Sequence, residues 1–247
     1  MINLLYTEIF KLKRSKLFFV SFLGATVVPI MMFFMFISMR ARNPENILTF
    51  DQYFKQTDMF TLLLIGTLLF GLLATYIFNR EYQEETLKNL LTIPVGRKSL
   101  IVSKLIIILG VILSLSLFSY VTSLLLGFLG HFEGLTIGVL LKWLKGYLFS
   151  GTLLFLLTPS VILITILFKN YIPTIGFTIV VSVIGIILIN SDYSLVFPWT
   201  APAMIAHFDL VESPAKFTII HSWISLILTF LIPLTAAFLY FEKTDIH

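Results

Sequence analysis

The stretch Asn79-Arg80-Glu81-Tyr82-Gln83-Glu84-Glu85-Thr86-Leu87-Lys88-Asn89-Leu90-Leu91-Thr92-Ile93-Pro94-Val95-Gly96-Arg97-Lys98-Ser99-Leu100-Ile101-Val102-Ser103-Lys104 is the densest run of charge between two long apolar segments. Glu84 and Lys88 stand four apart in the favoured acid-before-base order, and Leu87, Leu90 and Leu91 fall on one stripe, so the run predicts a short amphipathic helix. Pro94 lacks an amide hydrogen and biases the residue before it away from helix, which ends the element, and Gly96 permits a tight turn back. A helix of this kind between two apolar spans has the geometry of a docking element at a membrane surface.

The flanking segments are apolar because the whole chain is. Hydrophobic residues make up 58% of the 247 residues and charged residues 12%, against about 45–50% and 25% in soluble domains. The expected fold class is therefore all-α, in a membrane protein whose helices satisfy their own backbone groups, since lipid supplies no hydrogen-bond partner. With no cysteine in the sequence, disulfides, thiolate metal sites and cysteine nucleophiles are excluded. No basic stripe with interleaved aromatics lies outside the apolar runs, so nothing supports a nucleic-acid partner.

The apolar runs lie at about 17–38, 59–78, 105–129, 147–168, 172–189 and 217–241. Each is close to the roughly 20 residues that cross a bilayer, which predicts six transmembrane helices in a single transmembrane domain covering 1–247. Only Lys169 and Asn170 separate the fourth from the fifth, consistent with a tight hairpin. Pro29, Pro159 and Pro233 fall inside runs, where neighbouring helices can repair a kink. Before the first span, Ile2, Leu5, Ile9 and Leu12 recur at helical spacing, with Glu8, Lys11 and Arg14 elsewhere on the wheel. Residues 1–16 thus read as an interfacial amphipathic helix carrying Glu8, Lys11, Lys13 and Arg14. The first apolar run is too long for a signal peptide and lacks a small-x-small cleavage pattern.

Lysine and arginine set the orientation. With both termini on one side, that side carries Lys11, Lys13, Arg14, Lys16, Arg80, Lys88, Arg97, Lys98, Lys104, Lys169 and Lys243, and the other carries Arg40, Arg42, Lys55, Lys142, Lys145 and Lys216. The excess makes both termini and the 79–104 coupling segment cytoplasmic, and 39–58, 130–146 and 190–216 external. Within 190–216 the apolar, twice proline-interrupted stretch around Phe197, Pro198, Trp199, Pro202 and Phe208 is too short to cross and suits a re-entrant or interfacial segment. Phe197, Trp199 and Phe208 are its candidate substrate contacts.

Catalytic motifs are missing from the sequence. It contains no G-x-x-x-x-G-K-[ST] loop, and His131, His207, His221 and His247 have no metal-ligand spacing. Glu84-Glu85 with Phe217 and His221 has the outline of the double-glutamate and F-x-x-x-H elements of membrane-embedded CAAX-type proteases. However, Asn89 stands where that pattern needs arginine, and the orientation above separates Glu84 from His221. The apolar runs as delimited contain no ionisable relay of the kind that ion-coupled transporters keep. A docking helix on a bundle without its own energy source points to an ATPase partner.

Several motifs then resemble one family. Thr7 to Lys16 looks like the amphipathic elbow of type-2 ABC exporter permeases. Glu81-Tyr82-Gln83-Glu84-Glu85-Thr86-Leu87-Lys88-Asn89-Leu90-Leu91-Thr92-Ile93-Pro94-Val95-Gly96-Arg97 resembles that family's E-x-x-x-x-T-x-K/R-x-L-L-x-x-P-V/I-x-R cytosolic loop, with Lys104 at the head of the third span. Six spans and Phe197-Pro198-Trp199 extend the likeness over nearly the whole chain, and within the family the short form is similar to subunits that confer lantibiotic or bacitracin immunity. The resemblance implies a permease subunit in the bacterial cell membrane, not an enzyme, that pairs with a second permease chain, identical or related, on separate ATP-binding cassette subunits. ATP and magnesium would then sit on the partner, and this chain would bind no cofactor. It also implies that Glu81, Glu84, Glu85, Thr86, Leu87, Lys88, Leu90 and Pro94 form the coupling element, and that the cargo is an amphiphilic antimicrobial peptide. The residues themselves leave other cargoes open, such as a drug, a secreted amphipathic peptide or a lipid-linked saccharide, and also a non-transporting sensor or scaffold.

Overall fold

In the computed structural model the chain is described over residues 2–13, 15–43, 45, 47–83, 97–208 and 217–243, with the side chains of 2–4, 81–83, 97–98 and 241–243 excepted. The elements are α1 (Ile2–Lys13), α2 (Lys16–Arg42), α3 (Phe50–Phe60), a π-helical segment (Thr61–Gly66), α4 (Thr67–Gln83), α5 (Arg97–Leu129), α6 (Ile137–Phe155), α7 (Thr158–Phe168), α8 (Tyr171–Leu188), α9 (Ala201–Ala206) and α10 (Ile219–Lys243). Six helical stretches among the described residues are long and apolar enough to cross a membrane: Lys16–Arg42, Phe50–Arg80, Ser99–Leu129, Ile137–Phe168, Tyr171–Leu188 and Ile219–Tyr240. The six-span expectation therefore stands, although two of these helical stretches begin well before the apolar runs that suggested them.

The second stretch begins at Phe50, not near Met59. Thr49 caps it by accepting from Gln52 N at 3.4 Å, and Phe50, Tyr53, Phe54, Thr57 and Asp58 are buried along one face. That spacing is the apolar stripe of a helix packed in a bundle. The fourth begins at Ile137, ahead of the expected Tyr147, with Thr136 as its cap. Its first turns carry Lys142 and Lys145, whose charge hid the start of the helix from a hydropathy reading. Pro159 does more than kink this stretch: α6 ends at Phe155, and Pro159 stands in the first turn of α7. Pro29 and Pro233 lie inside continuous helices. The tight hairpin expected at Lys169 and Asn170 is present. Lys169 ends α7 in the left-handed region at φ 50°, and the Asn170 side chain caps α8.

The helices pack in two apolar layers. A cluster rich in aromatics joins α2, α3, α5 and α6 through Met32, Phe36, Phe50, Tyr53, Phe54, Tyr120, Trp143 and Tyr147. A mainly aliphatic cluster joins α4, α5, α7, α9 and α10 through residues such as Leu73, Ile77, Ile108, Ile112, Ile162, Met204 and Leu226. Helices α4 and α8 approach most closely at Gly71, where an added Cβ would stand 2.4 Å from Thr178 Cγ2. Only a residue without a side chain permits that approach, the small-residue packing that membrane helices use in place of a hydrophobic drive. Many buried hydroxyls return to their own helix, as Thr75 Oγ1 does to Gly71 O at 2.7 Å and Ser182 Oγ to Thr178 O at 2.7 Å.

Loops at the two ends of the bundle are tied separately. At one end Arg40 donates to Gly130 O at 3.0 Å, and Phe50 N and Glu133 N bond across to Glu133 O and Leu48 O. At the other end Arg80 donates to Lys11 O at 3.1 Å. The 190–208 segment is not a loose cover. Ser222 and Ser225 of α10 donate to Leu195 O and Val196 O at 2.8 and 2.7 Å, and Ala201, Pro202, Ala203 and Met204 of α9 are buried.

Candidate functional site

Helices α3 and α6 lie side by side and run in the same direction, so their partners advance together. Asp51 Oδ1 accepts from Lys142 Nζ at 2.6 Å and from Trp143 Nε1 at 2.8 Å. Phe54 O accepts from Tyr147 Oη at 3.4 Å. Asp58 Oδ2 accepts from Ser150 Oγ at 2.5 Å. The last of these carboxylates is 2% exposed and also meets His207 Nε2 at 2.8 Å. His207 is itself 3% exposed, follows the last turn of α9, and stacks on the Trp143 ring with centroids 6.0 Å apart and planes at 22°.

This arrangement corrects the expectation that the spans hold no ionisable pair. Asp58 lies eight residues into the stretch Phe50–Arg80, about 12 Å along the helix from its start. Its signal was present in the sequence: Asp58 continues the stripe of Phe50, Tyr53, Phe54 and Thr57, an acid on an apolar face. Its partner is 149 residues away and could not be read from local pattern.

The chemistry of the cluster is that of a lock. Asp58 Oδ2 lies between Ser150 Oγ, which donates to it, and His207 Nε2, so the serine hydroxyl is turned to the carboxylate and is not held against the histidine as a nucleophile would be. Among the described residues no group of three or more His, Asp or Glu could hold a metal ion. Immediately after α3 the helix widens into the π segment Thr61–Gly66, the irregularity that often marks functional positions in helices.

A buried ion pair closes the other end. Lys104 is 4% exposed, donates to Ile77 O at 2.9 Å, lies 3.5 Å from Glu8 Oε2, and sits 5.5 Å over the Phe78 ring. Glu8 also contacts Lys11 at 3.5 Å. Together with Arg80 on Lys11 O, these contacts bind α1 to the last turns of α4 and the first turns of α5, the two arms of the 79–104 segment. In α1, Glu8 and Leu12 turn into the bundle, while Tyr6, Ile9 and Phe10 are exposed. Pairing with Lys104 explains Glu8, and the apolar side is left to whatever surrounds the bundle.

Among the sequence-derived residues, Glu8, Lys11 and Lys104 are thus brought together, Lys13 is exposed, and Arg14 lies outside the described residues. Glu81 belongs to α4 by its backbone, while Glu84, Glu85, Thr86, Leu87, Lys88, Leu90 and Pro94 lie outside the described residues. Phe197 and Trp199 pack on each other at 5.7 Å, and Trp199 meets Phe177 edge-on at 5.3 Å. Of the three candidate substrate aromatics, Phe208 alone is largely exposed. His221 bonds locally to Thr218 and is exposed.

Six apolar helical stretches, a proline-rich segment folded into one end and an ion-paired amphipathic helix at the other are those of a polytopic membrane protein. Residues 4–185 match the family model described as ABC-2 family transporter protein, and the chain belongs to that family. It is 44% identical over 209 residues to the bacitracin transport permease protein BCRB of Bacillus licheniformis, an alignment covering 84% of this chain and 99% of that protein. Membership makes the chain a multi-pass permease subunit of a bacterial membrane and implies an ATPase partner.

Proposed function

We propose that this chain is the membrane half of an ATP-binding cassette exporter that expels an amphiphilic antimicrobial peptide of the bacitracin or lantibiotic kind and so confers resistance. The observation that carries the reading is the 44% identity to a bacitracin transport permease along nearly that protein's whole length. The six spanning stretches and the absence of a nucleotide-binding loop in the sequence agree with a subunit that borrows its energy. Two permease chains, identical or related, would pack on a dimer of ATPase subunits that hold ATP and magnesium, with both termini cytoplasmic.

In this reading, Glu81, Glu84, Glu85, Thr86, Leu87, Lys88, Leu90 and Pro94 dock on the ATPase. A push on this segment would reach α4 and α5 directly, and α1 through Glu8, Lys104 and Arg80, tilting helices as rigid bodies. The external segment around Phe197, Trp199 and Phe208 would meet the peptide. Its membrane-side counterpart, the Asp58–His207 lock, would hold that segment on the bundle.

The test has two arms. The tagged chain is purified from its native membranes in mild detergent, with co-purifying ATPase activity measured, and cells lacking the chain are challenged with a panel of cell-wall-active peptides. Recovery of an ATPase that is lost on charge reversal at Glu84 and Glu85, together with sensitivity confined to one peptide class, is expected. An ATPase recovered with equal survival across the panel would leave the machine and remove the cargo. No ATPase at all would favour the sensor or scaffold reading.

A further inference from the structure

Between α1, α2 and α5 lies a groove of about 540 Å³ lined by apolar side chains including Leu5, Ile9, Leu12 and Phe18, with Gly110 on its floor and Lys13 at its edge. The volume is within the roughly 300–1,000 Å³ of sites that take small ligands. Gly110 leaves it open: a Cβ there would meet nothing within 4 Å.

Charge stands at only one end of the groove. Lys13 and Lys16 are exposed, and the sequence places Lys11, Lys13, Arg14 and Lys16 within six residues just before the first spanning stretch. Basic residues clustered beside a spanning helix are the pattern that binds anionic lipid headgroups, and since Lys11 pairs with Glu8, the exposed Lys13 and Lys16 form the basic rim here. Tyr6, Ile9 and Phe10 of α1 are exposed beside it, as in a helix lying in the acyl boundary. An apolar trough with a basic rim, opening on the leaflet where α1 lies, matches one molecule in shape and charge.

We propose that this groove is a binding site for an anionic phospholipid, one acyl chain lying along Gly110 and the phosphate headgroup held by Lys13 and its basic neighbours. The lipid would fill the gap between the amphipathic helix and the third spanning helix, completing the packing of α1 on the side away from Glu8 and Lys104.

The experiment uses the full chain, stripped of lipid in detergent and titrated with phosphatidylglycerol or with phosphatidylcholine of identical chains, bound lipid being counted by native mass spectrometry. Wild type is expected to hold one phosphatidylglycerol in preference to phosphatidylcholine. Gly110→Phe, which fills the trough, should weaken that binding about tenfold or more, equivalent to at least about 1.4 kcal/mol. Replacing glycine in a helix does not weaken the helix itself, and Gly110→Leu serves as a milder variant. Lys13→Gln should retain the chain and lose headgroup preference. Equal retention in Gly110→Phe and wild type, or equal binding of the two lipids by wild type, overturns the proposal. Unchanged lipid with a shift from dimer to monomer in Gly110→Phe would overturn it too, by assigning the groove to a second copy of the chain.

Discussion

The buried polar contacts at the two ends of the bundle are built to different standards. Asp58 and Ile77, one residue from each, are 19 positions apart on the same spanning stretch, about 28 Å along the helix axis and close to the thickness of a hydrocarbon core. At the Asp58 end the buried carboxylate has two partners within 2.8 Å, Ser150 Oγ and His207 Nε2, and Trp143 stacks on the histidine. At the Lys104 end the ion pair is loose at 3.5 Å and Glu8 keeps 11% side-chain exposure, shared between Lys104 and Lys11. A charge taken fully from water has to be met by close, fixed partners. The Glu8 carboxylate, less fully buried, is met by two looser contacts.

This contrast orders the expected effects of breaking each contact. The largest belongs to His207→Ala, which strands the Asp58 carboxylate on a single hydroxyl. Removing one partner of a buried pair costs about 3–5 kcal/mol, so thermal unfolding in detergent should fall sharply, with Asp58→Asn added in the same chain recovering part of the loss. A variant that unfolds like wild type would mean the lock does not hold the 190–208 segment.

Lys104→Met comes next. It removes hydrogen bonds from a charged donor, at about 1.5–3 kcal/mol, but Glu8 keeps Lys11. Loss of stability with ATPase stimulation intact would show the joint to be structural only; the expected result is that stimulation falls with stability. Ser150→Ala should be milder, at the low end of that range, about 1.5 kcal/mol, because a single hydrogen bond is lost and the carboxylate keeps its histidine. Measured in a double-mutant cycle with His207→Ala, it should be non-additive, since both side chains serve one oxygen. The smallest effect is expected of Lys142→Gln. Its contact with Asp51 is short, but the two side chains are 59% and 42% exposed, and exposed pairs contribute about 0.5 kcal/mol or less. A larger loss at Lys142 than at Ser150 would invert the comparison, and chemical denaturation of the two variants side by side decides it.

Much of the fold was legible because the membrane imposes lengths. Apolar runs near 20 residues identified all six stretches, and the two-residue link at Lys169 and Asn170 identified the hairpin. The misreadings have one cause: charge was read as marking an end. Asp51, Lys55 and Asp58 pushed the second span inward to Met59, and Lys142 and Lys145 pushed the fourth to Tyr147, although the helices run through all five residues. In α3 the better signal was the stripe Phe50, Tyr53, Phe54 and Thr57, whose period is helical whatever the mean hydropathy. In lipid the outside of a bundle is apolar as well, so Ile9 and Phe10 of α1 face outward and Glu8 inward.

Composition and run length by themselves determined that this is an all-helical membrane protein with six candidate spans, because backbone groups without water must bond within their own helices and a bilayer has one thickness. The order of residues in 79–104 and at the N-terminus was enough to bring the family into view. Tertiary structure alone decided which polar groups meet: Asp58 with Ser150 and His207, and Lys104 with Glu8 and Ile77 O. The reason is energetic. A buried charge is tolerable only beside its partner, and here each side-chain partner comes from a segment about 90 or more residues away, a distance over which no local pattern carries information.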